Sequence, residues 1–227
     1  NPPTDVSQLD GLIFAAAPTY FSEEQIERVK LLCERASCPA ISLNTDFGFI
    51  PCVSIDNYHV LEEVIEHFVT DHGFTRIDFL SGTPHMQIAK DRLRCYEDCM
   101  KRHGLYDERR VFHGDFWRNK AVDATKYFLE LEDELPEAIV CANDYSALVV
   151  CRELNKRGIR VPEDVQIIGY DGIVDYATGR FGCSTIVQPI PEIAETAVKF
   201  LIHQQGALTP SNVTLPVYFA SGGTTRE

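Results

Sequence analysis

No stretch of this chain stays apolar for the roughly 18 residues that a membrane-crossing helix needs, so no membrane partner is expected. Positive charge is scarce: 21 Lys and Arg stand against 34 Asp and Glu, a formal net charge of −13. A surface that acidic repels phosphate backbones, so this segment is not expected to grip nucleic acid by itself. The first residues, NPPTDVSQLDG, carry no basic segment followed by an apolar one and do not read as a secretory signal. Catalytic signatures are missing too. There is no Gly-x-Gly-x-x-Gly after a strand, no phosphate loop, no His-Glu-x-x-His and no nucleophile elbow. His85 and His113 fall near strand or turn ends without an obvious nucleophile beside them. The expectation is a protein that is not an enzyme, with no catalytic residues and no cofactor.

The eight cysteines contain no Cys-x-x-Cys pair of zinc-ligand spacing. Cys95 and Cys99 lie one helical turn apart, but no third ligand follows at a sensible spacing, so no metal is expected. Scattered thiols without a disulfide framework fit a reducing cytoplasm. The Asn212-Val213-Thr214 glycosylation pattern is incidental in such a compartment.

What is present is an ordinary globular composition, 44% hydrophobic and 24% charged, over 227 residues. That length supports one large domain or two lobes with cores of their own. Strand-like and helix-like stretches alternate. Gly11 to Ala16 reads as a buried strand. Ser22 and Gln25 form a capping box ahead of a helix whose stripe is Ile26, Val29, Leu32 and Cys33. Ala40 to Asn44 and Cys52 to Ile55 read as strands, and Leu61, Val64, Ile65, Phe68 and Val69 as a helix from about Asn57 to His72. Arg76 to Leu80 is a strand, and Ser81-Gly82-Thr83-Pro84 a turn-rich break. A helix from about Met86 to His103 follows, then a strand at Arg110 to His113 and a helix carrying Ala121, Ala124, Phe128 and Leu129. The last helix, with Pro191 in its first turn, buries Ala194, Ala197, Val198, Leu201 and Ile202. Val213 to Ala220 is a final strand, interrupted by Pro216.

Pro136 to Gly172 organises the rest. Ala138 to Ala142 is a short apolar run, as a buried strand should be. Asn143 and Asp144 offer oxygens to the first free amides of a helix with Ala147, Leu148, Cys151 and Leu154 on one stripe. Gly158 closes that helix, and Val165 to Tyr170 is the next buried strand. A crossover of this length makes the two strands parallel. It places Asn143 and Asp171 just past the carboxyl ends of neighbouring strands, the edge where open α/β sheets bind ligands.

The run IVCANDYSALVVCRELNKRGIRVPEDVQIIGYDG, with Ala-Asn-Asp after a strand, Gly-Ile-Arg-Val-Pro-Glu-Asp-Val and Gly-Tyr-Asp in order, resembles the effector-binding domain of the LacI/GalR family of transcription regulators. Weaker matches run from about Asp10 to the C-terminus. The resemblance implies an α/β, two-lobed periplasmic-binding-protein-like fold, each lobe a parallel sheet flanked by helices, with three hinge crossings. On that reading residues 1–82 and 185–215 form the first lobe, and 83–184 and 216–227 the second, the first crossing falling at Ser81 to Pro84. The family's first lobe usually begins with a further β-α-β segment, and its helix-turn-helix lies further upstream. Both are expected to be absent from this chain, leaving a sheet edge exposed.

Five residues match positions that face the effector in that family. Asp56 follows the third strand and could equally cap the helix beginning near Asn57. Arg92 matches the arginine of an Arg-x-x-Gly-aromatic pattern, although Cys95 replaces the glycine. Arg94 is the neighbour to consider if the register differs, and a bare arginine here would be a surface residue. Phe116 matches a stacking aromatic, with core packing as its plain alternative and Trp117, the only tryptophan, adjacent. Asn143 and Asp171 match a ligand-facing amide and acid. A planar fork and a two-oxygen acceptor suit adjacent hydroxyls, which each can bind in pairs. The resemblance therefore implies a sugar-like small-molecule effector, a homodimer, and DNA contacted only through a domain outside this chain. Alternatives are a solute-binding protein serving a transporter and the same sensor fused to another output.

Overall fold

The computed structural model describes residues 6, 8–15, 22–175, 179–203 and 212–226. In chain order the elements begin with β1 (Leu12–Ala15), α1 (Glu23–Ala36), β2 (Ala40–Leu43), β3 (Cys52–Ile55), α2 (His59–Thr70), β4 (Ile77–Ser81) and α3 (Gln87–Arg102). A 3-10 turn at Glu108–Arg110 leads to β5 (Val111–His113), α4 (Arg118–Glu130), β6 (Ala138–Cys141), α5 (Asp144–Asn155) and β7 (Gln166–Asp171). Then come β8 (Val174–Asp175), β9 (Arg180–Phe181), β10 (Ser184–Val187), α6 (Ile190–His203), β11 (Val213–Leu215) and β12 (Tyr218–Ala220). The chain divides into two compact units, 1–56 with 189–216 and 57–188 with 217–227, and passes between them three times.

The first unit holds a four-stranded sheet in the order β1-β2-β3-β11, parallel throughout. Its interior is Ala40, Ile41, Cys52, Val53 and Ile55 from the strands, with Val29, Ala36, Ile193 and Ala197 from the helices. The capping box forms: the Gln25 amide donates to Ser22 Oγ at 3.3 Å, and the Ser22 amide to Gln25 Oε1 at 2.8 Å. Ser37 ends α1 in the left-handed conformation at φ 52°. Two expected stripes are corrected. In α1 only Val29 and Ala36 are buried, and in α6 only Ile193 and Ala197. Helix α6 is apolar on more than one side, and packing on β2 and β3 can cover one face alone, so Val198 and Ile202 remain exposed. β1 is an edge strand of this sheet.

The second unit holds a six-stranded sheet in the order β12-β10-β7-β6-β4-β5, beside the small pair β8-β9. All pairs of that sheet are parallel except β10 with β12, so one edge departs from the parallel pattern expected of each lobe. Strand β4 is buried along its length, and its alternating side chains serve both faces. Leu80 joins Ile139, Ala147, Phe128 and Leu154 in the core beneath α4 and α5. Phe79 faces the other way and stacks on Tyr96 of α3 with centroids 4.9 Å apart. In α5 the buried apolar positions are Ala147, Val149, Val150 and Leu154, whereas Leu148 is exposed and Cys151 half-buried.

The lobe boundaries differ from those expected. Residues 57–82 lie in the second unit, because β4 pairs with β5 and β6. Ser81 to Pro84 is therefore a strand-to-helix loop, and the first crossing falls after Asp56. The expected final strand is two strands in two sheets: Pro216 interrupts it, β11 joins β3, and β12 joins β10. No helix among the described residues is long and apolar enough to cross a membrane.

Candidate functional site

Five parallel strands of the second unit end at one edge of its sheet, and the loops beyond them carry the polar residues that define the site. Asn143 follows β6 and caps α5, its Oδ1 accepting the Ser146 amide at 3.0 Å. Its Nδ2 donates to the Phe116 carbonyl at 3.4 Å, joining the loop after β5 to the loop after β6. Asp171 ends β7 at φ 130°, and Gln188, just after β10, donates Nε2 to its Oδ1 at 2.7 Å.

Arg92 reaches this edge from α3 and is only 1% exposed. Its Nη1 donates to the Ala142 carbonyl at 2.5 Å, and its Nε and Nη2 to Asn57 Oδ1 at 3.3 and 3.2 Å. The guanidinium carbon lies 3.4 Å from the Tyr170 ring centroid, a cation–π contact. Nη1 stands 3.8 Å from Asp171 Oδ1. These hydrogen bonds occupy three of the five N–H donors of a guanidinium and fix its plane. Arg94 is exposed, its guanidinium 5.6 Å from the Tyr58 ring, so the buried arginine of the pair is Arg92.

Burial lowers the basicity of Arg92, offset by Tyr170, Asp171 and Asp144. Burial pushes the Asp171 carboxyl up to about 6. Arg92 and Gln188 pull against that rise, and Asp144 adds to it. Asp144 is raised as well, by burial, against the hydrogen bonds it accepts. The edge thus presents a fixed cationic fork, an acid easily neutralised, an amide and an aromatic ring. None of them is poised as a nucleophile beside a base.

Phe116 adopts φ 69° and lays its ring on Gly82. A Cβ on Gly82 would come within 1.9 Å of Phe116 Cζ, so the glycine is what admits the tip of the ring there. Trp117 is 69% exposed and meets Tyr145 edge-on at 6.4 Å.

The structure therefore gathers Arg92, Phe116, Asn143 and Asp171 in one unit. Asp56 belongs to the other unit, at the end of β3, where its amide donates to the Leu215 carbonyl at 3.1 Å. It does not occupy the cap of α2, because that helix starts at His59 with Tyr58 in the cap position.

Several contributors escaped the sequence reading. Asn57 and Tyr170 position Arg92, and Gln188 holds Asp171. Asp144, read only as a helix-start residue, is 1% exposed, and its Oδ2 accepts the Gly172 and Ile173 amides at 2.9 and 2.6 Å. In the first unit, Asn44 follows β2 at φ 55°, and its buried Oδ1 has no hydrogen-bond partner among the described residues. Its one visible signal was its place at a strand's carboxyl end. Among the described residues no three His, Cys, Asp or Glu side chains converge to hold a metal.

A family model described as a periplasmic binding protein-like domain matches residues 65–225, well over half of the chain, and the chain belongs to that family. Within it, this is an effector-binding domain of the LacI/GalR regulator type. The HTH-type transcriptional repressor PurR of Photobacterium profundum is 31% identical over 61% of this chain and 41% of its own length. Catabolite control protein A of Priestia megaterium is 30% identical over 86% of this chain and 57% of its own. This chain thus spans about half the length of the curated relatives it matches. A LacI family transcriptional regulator from Enterococcus faecium, solved with bound ribose, superposes with a TM-score of 0.78 at 24% identity, over 96% of this chain and 80% of its own.

Proposed function

We propose that this chain senses a small polyhydroxylated molecule, a sugar or sugar derivative, for a regulator that controls DNA binding allosterically through a segment outside the chain. The observation that carries the proposal is Arg92: a buried guanidinium fixed over Tyr170 at a sheet's carboxyl edge, 3.8 Å from Asp171, with donors to spare. Arg92 and Asp171 bind paired hydroxyls, Asn143 adds a donor, and Phe116 offers its face to sugar C–H groups. The ligand acts by its different affinity for two arrangements of the protein. The ribose bound in the Enterococcus regulator supports a sugar as the first class to try.

A homodimer fits the same reading, with a second copy covering the apolar face of Trp117, Tyr145, Leu148 and Ile173. The free cysteines fit a reducing cytoplasm. A solute-binding protein, or the same sensor with another output, remains the second reading, because the fold alone serves all three.

The test is thermal unfolding against ribose, other sugars, sugar phosphates, nucleosides and nucleobases. A ligand at about 100 times its Kd adds about 2.7 kcal/mol of stability. A selective rise in Tm that disappears in Arg92→Ala supports the site. A rise retained in Arg92→Ala refutes it.

A further inference from the structure

The second unit carries a histidine pair that the site above does not use. His67, in the last turn of α2, and His72, just past its end, bring their Nε2 atoms to 3.0 Å, with ring centroids 4.7 Å apart and planes at 82°. An N–H···N hydrogen bond in line with both ring axes would hold the centroids about 5.3 Å apart. The observed pair is bent. An imidazole centroid lies about 1.15 Å behind its nitrogen. In a symmetric arrangement, separations of 3.0 and 4.7 Å then make the two ring axes cross about 2.0 Å from each nitrogen, at about 95°. That distance is a metal–imidazole bond length.

The surroundings suit ligation. Asp71 Oδ2 lies 2.6 Å from His67 Nδ1, which keeps a proton on that nitrogen and leaves Nε2 as a lone pair, the usual carboxylate–histidine support of a metal ligand. The His72 ring packs beside Phe68 and Phe74, with centroids 6.0 and 5.2 Å away. Beside His67 opens a cavity of about 430 Å³, lined also by Glu63, Phe68 and Arg226, with room for water ligands. Arg226, on the wall of that cavity, opposes a cation there.

We infer that His67 and His72 form a two-imidazole site for a divalent transition metal, with Asp71 as the carboxylate behind it and water completing the shell. The angle near 90° suits nickel or copper in square or octahedral geometry, whereas tetrahedral zinc would want the nitrogens about 3.3 Å apart.

The test is calorimetric titration of the chain with Ni2+ near pH 7.5, after blocking accessible thiols with iodoacetamide. One site is expected, abolished in His67→Ala and His72→Ala, weakened 10- to 100-fold in Asp71→Asn, and unchanged in His113→Ala. In parallel, substoichiometric Ni2+ should broaden the His67 and His72 ring resonances of the unmodified sequence first, a readout that needs no variant. No single site, or one that survives His72→Ala with the same resonances sharp, would overturn the inference and leave a bent hydrogen bond at a helix end.

Discussion

Replacing Asp171 with Asn should make the folded protein more stable above pH 6 while weakening the site. The carboxyl titrates at about 6 in the fold, chiefly because burial disfavours its charge, against about 3.9 in an unfolded chain. For an acid raised in this way, the folded state holds the proton more tightly than the unfolded state. Below about pH 4 both states are protonated, and the carboxyl resembles an amide. Between about pH 4 and 6 the unfolded state ionises first and stability falls; above 6 the whole penalty is present. Two units correspond to about 3 kcal/mol. The side chain is 31% exposed, so solvent screening reduces the expectation to about 1–2 kcal/mol.

Asn keeps an oxygen for Gln188 and tolerates the positive φ as Asp does. The assay is urea unfolding at pH 8 and pH 4, followed through Trp117, the one tryptophan, which lies in the unit concerned. Asp171→Asn should gain about 1–2 kcal/mol at pH 8 and nothing at pH 4. A loss at pH 8, or a gain of equal size at both, would show that burial of charge is not what sets this residue's energetics. The trade of stability for a charged ligand contact is a common one at binding sites.

Two further predictions follow from the same edge. Arg92→Ala should weaken binding of whichever ligand the thermal screen identifies by about 2 kcal/mol or more, roughly 30-fold, because it removes a charged partner from a buried ligand group; isothermal titration measures it. Gly169→Ala would set a Cβ 2.1 Å from Asp144 Oδ1 and 3.0 Å from Cys183 Sγ. It should destabilise the second unit by about 1–3 kcal/mol in urea unfolding, with the loss reduced when Asp144→Ala is added.

Much of the site was legible because its signals are local. Asn143 sits where a strand hands over to a helix, and the amide it caps is three residues away. Asp171 closes a buried apolar run. Arg92 was less so, since Arg92 and Arg94 differ only in which side of α3 they occupy, and packing on Tyr170 settles that. What stayed hidden depends on contacts between distant parts of the chain. Asp144 acts on amides 28 and 29 residues away. Ser81 to Pro84 has the composition of a break, but turn chemistry reports a change of direction and not a change of sheet. The fate of β4 was decided by pairing with β6, more than fifty residues later. For β11 and β12, Pro216 announced the interruption, while the sheet that each half joins is a matter of long-range partners.

The two amides held by Asp144, one of them shared with Thr185 Oγ1, give the loop after β7 a fixed footing. Asp171 stands immediately before that anchored stretch, and Ile173, 45% exposed, lies within it. A carboxylate proposed to meet a ligand and an apolar side chain that faces outward thus move as one bracket, bolted to the start of α5. Selection cannot readily reshape one without displacing the other. A lineage that changes its ligand through residue 171 would then be pressed to revise its outward surface near residue 173 as well.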